Sequence, residues 1–370
     1  MNRLTALSQQ FGQSPWLDNL KRSYLTSGEL AAIRDRGVRG LTSNPSIFQK
    51  AIQGSPDYDE QFRALAVDEH PVIDDYWAMV LADIHGACDV FSRIYDESDG
   101  LDGYVSVEVD PGLAHDDPGT EAAARELHEH LRRRNLMVKI PATEAGLRPI
   151  QRMIAEGRNI NVTLIFSLER YQAVMDAYIG GLEELAADPA ADLSRVASVA
   201  SFFISRVDVE VDRRLEAIGT AEALALRGKA ALTQGQLAYE QFSETFSGGR
   251  WNSLAARGAR VQRPLWASTG TKNPDYSDVL YVDGLIGPNT VNTLPEPTLE
   301  AFADHGLVAR TVDIDIDGAH QIWERLANLG IDMDDVADKL EREGVDAFIK
   351  SFDELIEALE TKATDLRHQS

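Results

Sequence analysis

The segment NLMVKIPAT at residues 135–143 sets a single lysine inside an apolar run of strand character. Side chains alternate along a strand, so Leu136, Val138 and Ile140 share one face and Lys139 takes the other. Neighbouring runs repeat the pattern. In INVTLIFS (160–167), Val162, Leu164 and Phe166 oppose Asn161 and Thr163; in YVSVEVD (104–110), Val105, Val107 and Val109 oppose Ser106, Glu108 and Asp110. Strands of this kind, alternating with amphipathic helices, fit a closed parallel barrel. An outer ring of helices covers the apolar faces, and the polar faces converge near the C-terminal mouth.

Working outward, the strand candidates are WLDNL (16–20), VRGLTSN (38–44), GYVSVEVD (103–110), NLMVKI (135–140), INVTLIFS (160–167), VASVASFFIS (196–205), RPLWAST (263–269) and VLYVDGLI (279–286). Eight is the number a (β/α)8 TIM barrel requires. Patterns such as EAAARELHEHLRRR and EAGLRPIQRMIAEG carry apolar residues at helical spacing between them. An enlarged helical crossover is expected over about 207–262. The expected division is a β/α barrel catalytic domain over 1–296 and a helical C-terminal extension over 297–370, packed on the barrel.

The chain carries 36 Lys+Arg against 60 Asp+Glu, a net charge of −24. Such a balance repels phosphate backbones and anionic bilayers, so neither nucleic acid nor a membrane surface is expected as a partner. An anionic substrate would need a local cluster of basic groups. Cys88, the only cysteine, sits in an apolar helical pattern and reads as a buried structural thiol. No apolar leader or bilayer-length run is evident, and the cytoplasm follows by elimination. The chain could be a monomer or a homodimer.

Burial among barrel side chains disfavours a lysine's ammonium form and exposes its lone pair for attack on a carbonyl. Lys139 is the natural Schiff-base nucleophile. Asp18 and Glu108, on other strands, could serve as acid and base, and Thr163 could orient a water. Each residue also has a bland reading: an edge lysine, solvated acids, a turn for Asn44 before Pro45, core packing for Ser201 and Phe203. Their coincidence at matching strand ends favours a site. DIDIDGAHQIWE (313–324) matches a calcium-loop pattern, but its eighth position is His320 and the preceding residues read as extended, so an acidic helix-capping turn is expected. His128 and His130, two apart on a helix, face different sides and suit no zinc pair.

In order, GLTSNPSIF, GYVSVEVD, NLMVKIPAT, NINVTLIFS and SVASFFISRVD resemble the motifs of the transaldolase family. STGTKNP and GPNTVNTLP extend the likeness to its longer bacterial members, and the resemblance runs from Trp16 to Pro295. It implies a class I aldolase-like barrel, without metal or cofactor, that transfers a dihydroxyacetone unit between sugar phosphates in the non-oxidative pentose phosphate pathway. Sedoheptulose 7-phosphate and glyceraldehyde 3-phosphate would give erythrose 4-phosphate and fructose 6-phosphate. By this resemblance Lys139 is the Schiff-base lysine, Asp18 and Glu108 the acid–base pair, and Thr163 the water-orienting threonine. Asn44, Asn161 and Ser201 match residues that hold hydroxyls or the intermediate, Phe203 an aromatic at the site, and Arg206 a phosphate-binding arginine. Many members carry a second phosphate arginine in an ASFRN-like segment; this chain has ASTGTKNP there, with Lys272 as the candidate substitute. Two alternatives stand beside this reading. One is a fructose-6-phosphate aldolase-like lyase, which tends to be shorter with glutamine and tyrosine at the positions of Glu108 and Phe203; the other is a non-catalytic sugar-phosphate-binding barrel.

Overall fold

A computed structural model describes residues 1–66 and 70–369. Eight strands, β1 (Gln13–Asp18), β2 (Gly40–Thr42), β3 (Val105–Glu108), β4 (Leu136–Pro141), β5 (Ile160–Ile165), β6 (Ser198–Phe203), β7 (Arg263–Ala267) and β8 (Thr290–Leu294), pair in parallel in chain order, and β8 closes on β1. The fold is thus a (β/α)8 barrel with further helices at its C-terminal end. Its registers fix two rows of side chains. Glu108 aligns with Lys139 and Lys139 with Asn161, while Asp18 aligns with Thr42 and Thr42 with Ser106.

Seven of the expected strands overlap observed ones; the eighth does not. The run at 279–286 forms the short helix Leu280–Gly284, with Tyr281 and Val282 buried, and the last strand lies in the following GPNTVNTLP motif. Periodicity alone cannot separate a short buried helix from a buried strand. β8 also reverses the polarity of its neighbours. Thr293 faces the central cavity, so Thr290 and Asn292 take the outer face, where they bond to Gln13 at 2.9 Å and Thr269 at 2.8 Å.

Two details of the face assignment also need correction. The register of β5 against β6 shifts between Val162 and Ile165, where Leu164 has φ +59°. This bulge turns Leu164 and Phe166 toward the C-terminal helix rather than the outer ring. Asp110 lies beyond the end of β3, accepts from the Gly112 N–H at 2.8 Å, and caps a turn away from the mouth.

The helix Glu296–His305 packs on β1 and β8. The helix Ile316–Asn328 starts inside the acidic segment: Asp315 Oδ1 accepts from the Gly318 N–H at 3.0 Å, the capping turn expected there. The final helix, Met333–Gln369, crosses the mouth. Its Ser351 hydroxyl meets that of Ser46 at 2.7 Å, and Phe352 stacks edge-on against Tyr76 with centroids 5.2 Å apart. A Cβ at Gly344 would lie 3.0 Å from Leu164 and 3.5 Å from the Arg206 guanidinium, so glycine there permits close approach to the barrel. Cys88 is buried in the helix Val72–Glu97, and that burial pushes its thiol up to about 12. Among the described residues no helix is long and apolar enough to cross a membrane.

Candidate active site

The polar faces of the strands open into a cavity of about 340 Å³ at the C-terminal mouth. Lys139, near the end of β4, points into it with a side chain only 6% exposed. Its Nζ lies 3.1 Å from Glu108 Oε2 and donates to the Ser43 carbonyl at 3.1 Å. Both contacts follow from register: β3 places Glu108 beside Lys139, and the chain leaving β2 brings Ser43 over it.

Asp18 ends β1 on another wall of the same cavity, and Thr42 Oγ1 donates to its Oδ1 at 2.9 Å. Burial raises the Asp18 pKa above the ordinary carboxylate value, opposed by the charge of Lys139, the Thr42 hydrogen bond and the charge of Lys272. Glu108 is raised for the same first reason, opposed by Lys139 and reinforced by Asp18. Two carboxyls with a bias toward the protonated form therefore flank one amine. That arrangement can deliver and remove protons during carbonyl condensation.

Thr163 lines the cavity fully buried, and its hydroxyl has no hydrogen-bond partner among the described residues. Asn161 lies deeper. Its amide donates to the Ser106 hydroxyl at 3.0 Å and accepts from Ser201 Oγ at 2.7 Å, linking β3, β5 and β6. Ser201 itself lines the cavity. Asn44 caps the helix Pro45–Gln53, accepting from the Ile47 N–H at 3.0 Å through Oδ1, and also borders the cavity. Phe203 packs on Phe166 with centroids 5.1 Å apart, and the Arg206 guanidinium lies over its ring at 5.4 Å.

Arg206, in the first turn of the helix Ser205–Ile218, and Lys272, in the loop after β7, both reach the cavity. Burial lowers the Arg206 pKa, with Glu343 opposing, yet an arginine remains charged at any working pH. Lys50, on the helix that follows β2, is a third cation lining the cavity, which sequence reasoning missed; with Ser46 and Ile47 it falls at three- and four-residue spacing on one helix face. None of the three forms an ion pair at contact distance among the described residues. The neighbouring Ser268 adopts φ +57° and shares a hydrogen bond of 2.9 Å with Ser205. Thr42, Ser43 and Ser106 were likewise missed as partners, although two of them adjoin Asn44 in the GLTSN segment. Phe348 of the final helix also lines the cavity, a contact without a local signal in the sequence. Of the ten residues expected from sequence to form the site, eight line this one mouth, and Asn161 and Glu108 stand directly behind its wall.

The family model described as Transaldolase/Fructose-6-phosphate aldolase matches residues 15–359. Similar curated proteins bear the name Transaldolase. Those from Mycolicibacterium paratuberculosis and Mycolicibacterium smegmatis are each 52% identical over 357 residues, covering 96% of this chain and 95% and 96% of their own. One from Parafrankia sp. is 52% identical over 350 residues, covering 94% of this chain and 95% of its own.

Proposed function

Because the chain belongs to the transaldolase/fructose-6-phosphate aldolase family, we propose that it is a transaldolase working through a Schiff base on Lys139. One observation carries the residue assignment. A buried amine lies 3.1 Å from one carboxylate, with a second carboxyl on another wall of the cavity and, at the rim, cations that form no contact ion pair among the described residues.

Lys139 adds to the C2 ketone of the donor, sedoheptulose 7-phosphate or fructose 6-phosphate. Glu108 protonates the departing hydroxyl through a water held by Thr163, and the carbinolamine loses water to give the imine. Asp18 takes the C4 hydroxyl proton as the C3–C4 bond breaks. The bonding pair moves into the imine, leaving an enamine on Lys139 and releasing an aldehyde. The enamine carbon then attacks the aldehyde of the acceptor, Asp18 returns the proton, and hydrolysis of the new imine frees the lysine.

Asn44 and Ser201 hold hydroxyls of the three-carbon unit, with Asn161 fixing Ser201 from behind. Phe203 shields the imine. Arg206 grips the phosphate, and Lys272 supplies the second positive charge without an arginine's bidentate fork. The barrel through residue 296 carries all of these groups, and the extension over 297–370 adds Phe348 to the wall. A transferase must keep water from the enamine until the acceptor binds, and the helix across the mouth suits that need. We place the enzyme in the cytoplasm, acting on sugar phosphates.

The test uses fructose 6-phosphate with and without erythrose 4-phosphate. Turnover is expected to depend on the acceptor; release of free dihydroxyacetone at a similar rate without it would assign a lyase instead.

A further inference from the structure

Between Ala267, at the end of β7, and Leu280, at the next helix, the chain runs through Ser268 and Lys272 without regular structure. A loop of this length loses about 1–2 kcal/mol of backbone entropy for each residue fixed in place. If ligand binding had to supply that ordering, a lysine at its tip would contribute little.

The structure meets this problem with a repeated device. Asp208 and Asp212 lie four apart on the helix Ser205–Ile218, the helix that begins with Arg206's turn. Tyr276 donates its hydroxyl to Asp212 Oδ2 at 2.6 Å, and Tyr281 donates to Asp208 Oδ2 at 2.8 Å. The second oxygen of each carboxylate takes a backbone N–H from the start of the helix Ala230–Thr245: Gly228, just before it, to Asp212 at 2.9 Å, and Ala231, in its first turn, to Asp208 at 2.8 Å. Tyr276 lies against Gly228 so closely that a Cβ there would stand 2.8 Å from its ring. Asp208 and Tyr281 are 1% and 2% exposed.

Two acids beneath an anion-binding rim are unfavourable unless their charge is engaged elsewhere. Here each is engaged twice, by a tyrosine hydroxyl and a backbone N–H. We propose that Tyr276–Asp212 and Tyr281–Asp208 are positioning pairs that hold the loop of Ser268 and Lys272 at a fixed distance from Arg206, so that the three grip one phosphate group. The inference rests on the phosphate role given to Arg206 and Lys272 above. The tyrosines touch no substrate; they act through the loop.

Y276F, Y281F, D212N and, as a reference, K272A should be assayed with glyceraldehyde 3-phosphate and with unphosphorylated glyceraldehyde as acceptors, alongside inhibition by inorganic phosphate. Tyrosine-to-phenylalanine changes keep the ring and remove only the tether. Expected for Y276F is a rise of about 3- to 10-fold in KM for the phosphorylated acceptor and in the inhibition constant of phosphate, the loss of about one hydrogen bond. At saturating donor, its kcat and its turnover of glyceraldehyde should stay at the wild-type level. D212N should move the same constants in the same direction. If K272A shifts both constants while Y276F and Y281F leave them unchanged, the tether is overturned and the phosphate role of the loop survives. An equal fall with both acceptors would also overturn it, because that marks a general structural defect. If the tyrosine variants shift the constants and K272A does not, the proposal is also overturned, because the loop then affects phosphate binding without Lys272 taking part.

Discussion

The wall built by β1 to β5 and the rim built by the ends of β6 and β7 hold their charges in opposite ways. On the wall, Lys139 and Glu108 are buried and Asp18 partly so, the three are mutually coupled, and loss of solvent biases both carboxyls toward protonation. At the rim, Arg206 and Lys272 face the cavity without a contact ion pair among the described residues, on a frame whose Asp208 and Asp212 are occupied by tyrosines and backbone amides. The difference separates two tasks. Groups that move protons need neighbours that tune them, whereas groups that anchor an anion need charge left free for the ligand.

Substitutions should expose this division. Replacing Glu108 by Gln or Asp18 by Asn should lower kcat by about 10²- to 10⁴-fold, the span of acid–base contributions, with a much smaller change in KM. R206A should do the reverse, raising KM for phosphorylated substrates about 10- to 100-fold through loss of a charge-assisted contact while retaining much of kcat. Steady-state kinetics on the purified variants decides, and a matching pattern on both sides would dissolve the comparison.

The rim's frame has a pH signature of its own. Glu210, on the helix that carries Arg206, pairs with Lys339 of the final helix at 2.6 Å and with Arg213 and Arg214. Hydrogen bonding from Arg213 first, then from Lys339 and Arg214, holds its carboxyl down at about 2. A depressed carboxyl contributes stability that is full above its unfolded value of about 4.5 and is lost as pH falls toward 2. E210Q should therefore lose about 1–2 kcal/mol in urea unfolding at pH 7, a figure reduced for the solvent screening of Arg213. The gap from wild type should narrow at pH 3; a constant gap would contradict the ion-pair account. The smallest effect is expected at Thr42. Its hydroxyl stabilises ionised Asp18, so T42V should move the acid limb of kcat/KM to higher pH and leave the plateau nearly unchanged.

Much of the wall was legible because strand alternation is local: Lys139, Glu108 and Thr163 each oppose an apolar face in their own segment. β8 was misread for the corresponding reason, since its polar Thr290 and Asn292 point outward while VLYVDGLI mimics a strand and instead brings Tyr281 to Asp208. The rim was less legible. Lys50 and Phe348 reach the cavity through the placement of whole helices, and no spacing within one element encodes that. The bulge at Leu164 depends on the partner strand and the helix above it, again a tertiary effect.

The central claim is that Lys139 is the amine that bonds to the substrate. Borohydride reduction in the presence of fructose 6-phosphate, followed by peptide mass mapping, tests it directly. The account predicts one reduced three-carbon or hexose phosphate adduct on the peptide containing Lys139, and none in K139M. An adduct on another lysine, or a folded K139M protein that still interconverts sugars, would contradict it.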